Sequence, residues 1–141
     1  MSIVQAICTS FKVELLQGVH NFTPSTGDVF KLALYTEAAN LSALTTVYSA
    51  VEEVVAAGYS AGGVTLTQTT PMSDGTTALV SFADLSISAT LSASGAMIYN
   101  SSKADRAVIV MDFGGPRFST SGVFGITFPP QNAASAIIRI G

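Results

Sequence analysis

The sequence predicts an all-β protein: an antiparallel β-sandwich with one short N-terminal helix. Val, Ile, Thr and Phe, the residue types that suit pleated strands, are abundant. About eight or nine short apolar or alternating runs follow one another, with turn signals roughly every 8–12 residues, which is the spacing of a sandwich or barrel. No helical segments separate these runs, so the crossover helices that a parallel α/β sheet requires are not predicted.

The helix is predicted at Ser10–Gln17. Phe11 and Leu15 recur at helical spacing, the leading serine is placed to cap the start, and Gly18 is placed to end the helix. This segment departs from the strand pattern of the rest of the chain. We therefore divide the chain into an N-terminal arm with a short helix, residues 1–18, and a β-sandwich domain, residues 19–141.

The first strand of the sandwich is predicted at residues 29–36, after a turn rich in Pro, Ser, Thr and Gly. Phe30, Leu32 and Leu34 alternate with Lys31, Ala33 and Tyr35 along it. A period of two with one more apolar face is typical of a half-buried strand.

The residues after this strand carry weaker signals. Residues 37–44 fit either a short helical turn or an irregular loop, and short extended pieces follow. We expect the adjacent pair Glu52 and Glu53 to lie in solvent. The glycine-rich residues 58–63 predict a tight corner, since they lack the lysine of a phosphate-binding loop.

The second half of the chain returns to short strands. Asp74-Gly75 is a strong turn signal. The run Ala107–Met111 is nearly all apolar, which favours a strand covered on both faces, and Gly114-Gly115-Pro116 is expected to end it. Further strands are predicted at residues 64–70, 77–82, 85–91, 95–99, 123–128 and 137–140.

The side chains that catalysis depends on are scarce. The chain has one histidine, His20, one cysteine, Cys8, no tryptophan and 11% charged residues. Catalysis requires groups that transfer protons, attack electrophiles or hold metals. For His20 a capping or packing role is expected, and the apolar neighbours of Cys8 favour an inert thiol. We expect no enzyme activity, no cofactor and no metal site.

Two further candidates for chemistry have structural alternatives. Asp112 interrupts an apolar strand, and an ion pair with Arg106 or Arg117 is its expected role. Exposed tyrosines hold sugars in many small sandwiches, whereas buried rings with their hydroxyls at the rim are the alternative. The four tyrosines concerned are Tyr35, Tyr48, Tyr59 and Tyr99.

The charge pattern argues against two classes of partner. The net charge is −3, and the six basic residues are scattered instead of clustered to neutralise phosphates, so nucleic acid binding is not expected. No apolar run approaches the roughly 18 residues that a membrane helix requires, so no membrane partner is expected.

The balance of apolar and charged residues points instead to protein partners. A chain with 48% hydrophobic residues and a mean hydropathy of +0.50 is unusually apolar for a free monomer, which favours burial of part of its surface in an assembly. We expect a dimer or trimer. Each end of the chain supplies candidate contact residues, which fit a core role equally well. These candidates are Ile3, Val4, Phe11 and Leu15 at one end and Ile137, Ile138 and Ile140 at the other.

Four segments in fixed order carry a resemblance to a known family. The chain is similar, from about Phe22 to Ile140, to small virion structural proteins of tailed bacteriophages, and most of all to capsid cement (decoration) proteins. The segments are Asp28–Tyr35 (DVFKLALY), Gly58–Gly63 (GYSAGG), Tyr99–Val108 (YNSSKADRAV) and Asp112–Gly115 (DFGG).

The resemblance implies a jelly-roll-like sandwich on the outer capsid surface of a virion assembled in the host cytoplasm. Its partner would be the phage major capsid protein, whose neighbouring subunits it would clamp. It implies no catalytic residue. The alternative within virion proteins is a head-fibre or tail-associated module that recognises a glycan of the host surface.

Overall fold

The computed structural model describes residues 2–141, which form ten antiparallel strands and one helix. This confirms the predicted fold class, an all-β protein with antiparallel sheets and one short N-terminal helix, while the jelly-roll strand order stays a prediction. The helix is α1 (Thr9–Leu16). The strands are β1 (Ala6–Ile7), β2 (Phe30–Tyr35), β3 (Val64–Thr65), β4 (Met72–Asp74), β5 (Thr77–Val80), β6 (Leu85–Ile87), β7 (Ser92–Asn100), β8 (Arg106–Phe118), β9 (Phe124–Ile126) and β10 (Ile138–Ile140).

The main sheet has five strands in the order β1-β8-β7-β2-β3. Residues 107–110 of β8 are buried, as the apolar run predicted. The half-buried prediction for β2 was wrong, because Leu32 and Leu34 on one face and Ala33 and Tyr35 on the other are all buried. Both faces of the central strands are therefore covered, which explains why their apolar residues form runs and not a simple alternation.

Two smaller sheets complete the fold, one in the order β10-β5-β4 and one pairing β6 with β9. Aromatic rings connect them to the main sheet. Phe22 stacks on Phe30 of β2 with ring centroids 4.3 Å apart, and Phe82, just after β5, lies 6.1 Å from Phe30. Phe128, just after β9, lies 5.6 Å from Phe82. These rings form the core on one face of the main sheet.

The Gly114-Gly115-Pro116 segment does not end its strand. β8 runs through it, but its register against β7 slips there: Asp112 pairs with Gly95, and the next pair along β7 joins Ala93 to Arg117. Both glycines have positive φ angles. The breaker residues thus produce a bulge that interrupts the ladder without separating the strands.

The Asp74-Gly75 turn is confirmed. Asp74 pairs with Thr77 across a two-residue connection between β4 and β5. Gly75 takes the first central position with φ +62°, which fits a type II′ hairpin turn.

The helix begins one residue earlier than predicted, so Cys8 and not Ser10 is the N-cap, and Cys8 makes no side-chain cap bond. Its end is as predicted. Gly18 has φ +73°, its N–H donates to the Leu15 carbonyl, and the Val19 N–H donates to Glu14. This is a Schellman ending, in which a glycine adopts the left-handed conformation that other residues resist. At eight residues α1 is too short to cross a membrane, and residues 2–141 contain no other helix.

The N-terminal residues lie on the body of the molecule. In β1, Ile7 pairs with Ile109 of β8. The ring of Phe11 is buried and lies 6.0 Å from that of Phe22. The segment predicted as an arm, as far as residues 2–18 describe it, therefore shares its core with the sandwich.

Candidate interface: an apolar strap held by a buried carboxylate

Residues 36–63, which connect β2 to β3, form a strap across one face of the main sheet. The strap consists of turns and isolated bridges. Just after its midpoint, the Val54 N–H donates to the Leu34 carbonyl of β2 (2.9 Å). Just before its midpoint, the Tyr48 N–H donates to the Asp105 carbonyl (2.9 Å), and the Ala107 N–H of β8 donates to the Thr46 carbonyl (3.0 Å). The strap therefore bonds to the outer edges of both β2 and β8 and passes over β7.

The strap also holds the N-terminal residues. Leu41 forms a parallel bridge with Ile3, and the Val4 N–H donates to the Leu41 carbonyl (2.8 Å). The Thr9 N–H donates to the Ala43 carbonyl (2.8 Å) at the start of α1. Backbone groups of the two segments satisfy one another, so the strap and the N-terminal segment form one connected surface.

Glu53 lies at the centre of the strap and is buried. Its Oε1 accepts a hydrogen bond from the Tyr48 hydroxyl (2.5 Å), and its Oε2 accepts from the Tyr59 hydroxyl (2.5 Å) and the Gly62 N–H (2.9 Å). The prediction that both glutamates face solvent is right for Glu52 and wrong for Glu53. Glu52 adopts φ +62°, a left-handed conformation that redirects the chain and places the next side chain inside.

The other two tyrosines tie the strap to its surroundings. Tyr35 of β2 donates to the Ser49 carbonyl (2.6 Å), and Tyr99 of β7 donates to the Gly62 carbonyl. The ring of Tyr48 stacks on that of Tyr99, with centroids 4.6 Å apart.

The tyrosine rings do not form a platform for sugars. Tyr35, Tyr59 and Tyr99 are buried, as the structural interpretation predicted, and Tyr48 is half-buried. Their hydroxyls, however, turn inward and not to a solvent rim. The Tyr59 hydroxyl, for example, donates to Glu53 and accepts from the Leu34 N–H (2.8 Å).

The hydroxyls of this cluster remain donors at neutral pH. Burial, and then the hydrogen bond to the Glu53 carboxylate, raise the pKa of Tyr59 and Tyr48. Burial and the charges of Asp105 and Glu53 raise the pKa of Tyr99 to about 12. Ionised tyrosine beside a carboxylate would place two negative charges in a poorly solvated space.

The outer surface of the strap carries exposed aliphatic side chains. Leu44 is 82% exposed, Val51 74% and Val55 97%. Leu44, Val47 and Val51 line one depression of about 470 Å³, together with Tyr35 and Met97. The chain has no Lys, Arg or His between Lys31 and Lys103, so the strap itself carries no cation.

Sequence reasoning missed this surface. The signal was present in the Leu-, Val- and Ala-rich composition of residues 41–57. These residues show no helical or strand periodicity, because a segment without regular secondary structure does not turn its side chains inward at a fixed spacing. Composition alone does not separate a buried apolar segment from an exposed one.

The seven terminal interface candidates fall into three groups. Ile3, Phe11 and Ile138 are buried in the core of the chain itself, and Leu15 and Ile137 are half-buried against it. Val4 and Ile140 are exposed. Leu15, Ile138 and Ile140 line a second depression of about 400 Å³ between the end of α1 and the β10-β5-β4 sheet.

A second buried polar cluster surrounds the single histidine. His20 Nε2 lies 2.8 Å from Glu14 Oε1, and Asn100 Nδ2 donates to His20 Nδ1 (2.9 Å) and to Asp28 Oδ2 (2.8 Å). Lys103 Nζ lies 2.6 Å from Asp28 Oδ1. Burial alone would raise the pKa of Asp28, but the hydrogen bonds from Lys103 and Asn100 bring it below its usual value. The expected packing role of His20 agrees with this position.

Two other candidates for chemistry are accounted for locally. Asp112 is exposed and accepts from the Gly114 N–H (2.9 Å). Its predicted ion pair was wrong, because Arg106 lies 3.5 Å from Glu14 and Arg117 donates to the Phe113 carbonyl. Bulges such as the one beside Asp112 redirect side chains away from the positions a regular strand would give them.

The thiol of Cys8 is fully buried. Burial first, and then the charge of Glu14, raise its pKa to about 11, which fits the expected inert thiol. Across residues 2–141 no three His, Cys, Asp or Glu side chains come together as metal ligands.

Comparisons of the chain with protein-family models, with curated proteins and with solved structures found no match.

Proposed function

We propose that this chain is a non-enzymatic virion structural protein, a capsid decoration protein that clamps neighbouring major capsid subunits. The observation that carries the proposal is the strap, whose aliphatic side chains Leu44, Val51 and Val55 stand in solvent on a hydrogen-bonded framework. Removing such side chains from water on a partner surface is favourable by roughly 1.5–3 kcal/mol for each one fully buried.

The strap suits adhesion because its backbone is already ordered. Its bonds to β2 and β8 fix the positions of the apolar side chains, so that little conformational entropy is lost on binding. A modest contact suffices for a protein that binds in many copies to an assembled lattice, since ligands that bind only the assembled state stabilise it by mass action.

The buried ionisable groups support adhesion over catalysis. Glu53, His20 and Asp28 each bond to donors or acceptors of this same chain. These bonds within the chain account for the burial of the three groups without a substrate.

The test is cosedimentation of the purified chain with empty expanded capsids of the virus that encodes it. We expect saturable binding with a fixed ratio to the major capsid protein. The combined variant Leu44→Ser/Val51→Ser should bind at least about tenfold more weakly, because two aliphatic contacts are lost. Phe118→Ser, which alters an exposed apolar residue outside the strap, is the matched control and should bind normally.

Two results would count against this function. If the strap variant binds capsids as tightly as the unaltered chain, the strap is not part of the interface. A chain that ignores capsids but retains a defined sugar on a glycan array would favour the head-fibre or tail module instead, although the inward-facing tyrosines offer no ring platform for it.

A further inference from the structure

We propose that the Glu53 carboxylate is a latch that holds the strap closed, and that the strap opens as a local unit when the latch is lost while the sheet stays folded. This device belongs to the fold and does not depend on the proposed function. It explains why a chain so poor in charged residues buries a carboxylate in a loop.

The latch works through neutral donors. The three groups that bond to the carboxylate are the hydroxyls of Tyr48 and Tyr59 and the Gly62 N–H, and the salt bridges among residues 2–141 do not include Glu53. Glu52, adjacent in sequence, and Asp105, whose carbonyl accepts from the Tyr48 N–H, are acidic as well. Arg106, whose backbone bridges Val47 of the strap, directs its guanidinium to Glu14. The positions of the donors, and not attraction to a cation, therefore hold the side chain.

The same three bonds span both halves of the strap and its attachment to β2. Tyr48 comes before Glu53 in the chain, while Tyr59 and Gly62 come after it. The Tyr59 hydroxyl also accepts from the Leu34 N–H of β2. One carboxylate thus joins two stretches of irregular chain to a central strand.

Outside this cluster the strap is held by scattered backbone bonds and not by a continuous ladder. It has few ladder bonds, and Glu52, Gly58 and Gly62 all have left-handed φ angles. Glu52 is the one of these that has a side chain, so its conformation is strained. Segments with few regular bonds and stored strain are the ones that open below the global unfolding free energy.

Opening would change the edge of the main sheet. β3 pairs with Lys31 and Leu32 of β2, and the strap covers the edge at Leu34 and Tyr35. Without the strap those backbone groups would be unpaired, and an unpaired edge strand recruits extended segments from other chains. By keeping the strap closed, Glu53 therefore also prevents this edge of β2 from pairing with another molecule.

The donor geometry makes a sharp distinction between two substitutions. In Glu53→Gln the amide oxygen can take the place of Oε2 and accept from the Tyr59 hydroxyl and the Gly62 N–H. The amide nitrogen then takes the place of Oε1 and donates to the Tyr48 hydroxyl oxygen, whose O–H turns away. Glu53→Leu leaves all three donors without a partner. Glutamine should keep the strap closed, and leucine should open it.

The experiment is hydrogen–deuterium exchange of the full chain at neutral pH, read separately for peptides within residues 36–63 and within β7 and β8. For Glu53→Leu we expect exchange in the strap to rise by about tenfold or more, with exchange in β7 and β8 unchanged. Glu53→Gln should stay within about threefold of the unaltered chain. Glu52→Gln, which changes the exposed neighbour, is the matched control.

The outcomes separate clearly. Unchanged exchange in the strap of Glu53→Leu, or an equal rise in strap and sheet, would overturn the latch. If exchange in the strap rises as much in Glu53→Gln as in Glu53→Leu, the neutral donors do not hold the side chain as proposed. Should Glu53→Leu not fold, Tyr59→Phe removes the hydroxyl that donates to Glu53 and accepts from the Leu34 N–H, with the ring kept in place. A strap that exchanges no faster in that variant would also refute the proposal.

Discussion

The two buried carboxylates of the described residues, Asp28 and Glu53, are placed where separate segments meet. Asp28 is the clearest case, because its carboxylate accepts from Lys103, from Asn100 of β7 and from the Asn21 N–H. Residues far apart in sequence are thereby joined at one side chain. A carboxylate with several donors is stabilised in its ionised form, and this links the pH to the stability of the fold.

The first prediction concerns Asp28→Asn. Burial opposes ionisation but the donors outweigh it, so the pKa of Asp28 is lowered in the folded protein. Its stabilisation is then fully present above the unfolded pKa, about 3.9, and is lost as the pH falls through the lower folded value. Asp28→Asn should reduce the free energy of unfolding by about 1–3 kcal/mol at neutral pH, and the deficit should shrink below about pH 4.

Urea unfolding between about pH 7 and pH 2 measures this difference. Glu37→Gln, which neutralises an exposed carboxylate, is the control and should follow the unaltered chain. A deficit for Asp28→Asn that stays constant as the pH falls would show that Asp28 is not linked to acid stability.

Single residues also set the limit of what the sequence predicts. The buried and inert character of Cys8 follows from its apolar neighbours, and the structure agrees. The opposite burial of Glu52 and Glu53 does not follow from their types, because the left-handed φ of Glu52 decides it. The buried Glu53 carboxylate also needs the hydroxyls of Tyr48 and Tyr59 as donors, and only the fold brings these to it.

At the scale of elements, glycine has two different uses in the turns. Gly63 ends the strap at the point where it meets β2, and a Cβ there would lie 2.0 Å from the Leu32 carbonyl oxygen, with φ at +85°. Gly75 in the β4–β5 hairpin has φ +62° and no atom within 4 Å of such a Cβ. The first site needs glycine for both conformation and space, and the second for conformation alone.

Alanine substitutions should separate these two uses. Gly75→Ala should cost about 1–2 kcal/mol of folding free energy, the strain of a left-handed residue. Gly63→Ala should cost about 2–5 kcal/mol, because about 1–3 kcal/mol of steric overlap with a backbone that cannot easily move is added. Chemical denaturation of the two variants measures the difference, and equal losses would contradict the close approach of the strap to β2.

Elements with a strong local pattern were predictable and their interruptions were not. The apolar run of β8 and the Asp74-Gly75 turn were predicted correctly from neighbouring residues. The effect of Gly114-Gly115-Pro116 was not, since β7 provides a partner that keeps the chain paired beyond the bulge. Local breaker signals give the position of an irregularity, and the partner strand decides whether it ends the element.

At the scale of the whole molecule, both ends of the chain are built into sheets. β1 joins β8 through pairs such as Ala6 with Val110, and β10 joins β5 through pairs such as Ile138 with Val80. Pairings between residues so distant in sequence leave no local signature. The sequence alone therefore suggested a separate N-terminal arm and contact residues at both termini. In the structure most of these terminal residues pack against the core of the same chain.

The last prediction is that residues 1–17 are needed for folding. Their removal takes away β1, uncovers the edge of β8 and deletes Phe11, whose buried ring packs on Phe22. Loss of one buried phenylalanine alone costs about 3–5 kcal/mol, and a small domain has only about 5–15 kcal/mol in total. The truncated chain should therefore show no cooperative thermal transition near that of the full chain.

The control for this deletion keeps the segment and alters only its surface. Val4→Thr combined with Val13→Thr changes two exposed side chains and should shift the free energy of unfolding by no more than about 0.5 kcal/mol for each. Circular dichroism during heating compares the three proteins. A truncated chain that melts cooperatively at the temperature of the full chain would mean that β1 and α1 are an appendage, and the first 17 residues would then be free to act outside the body of the molecule.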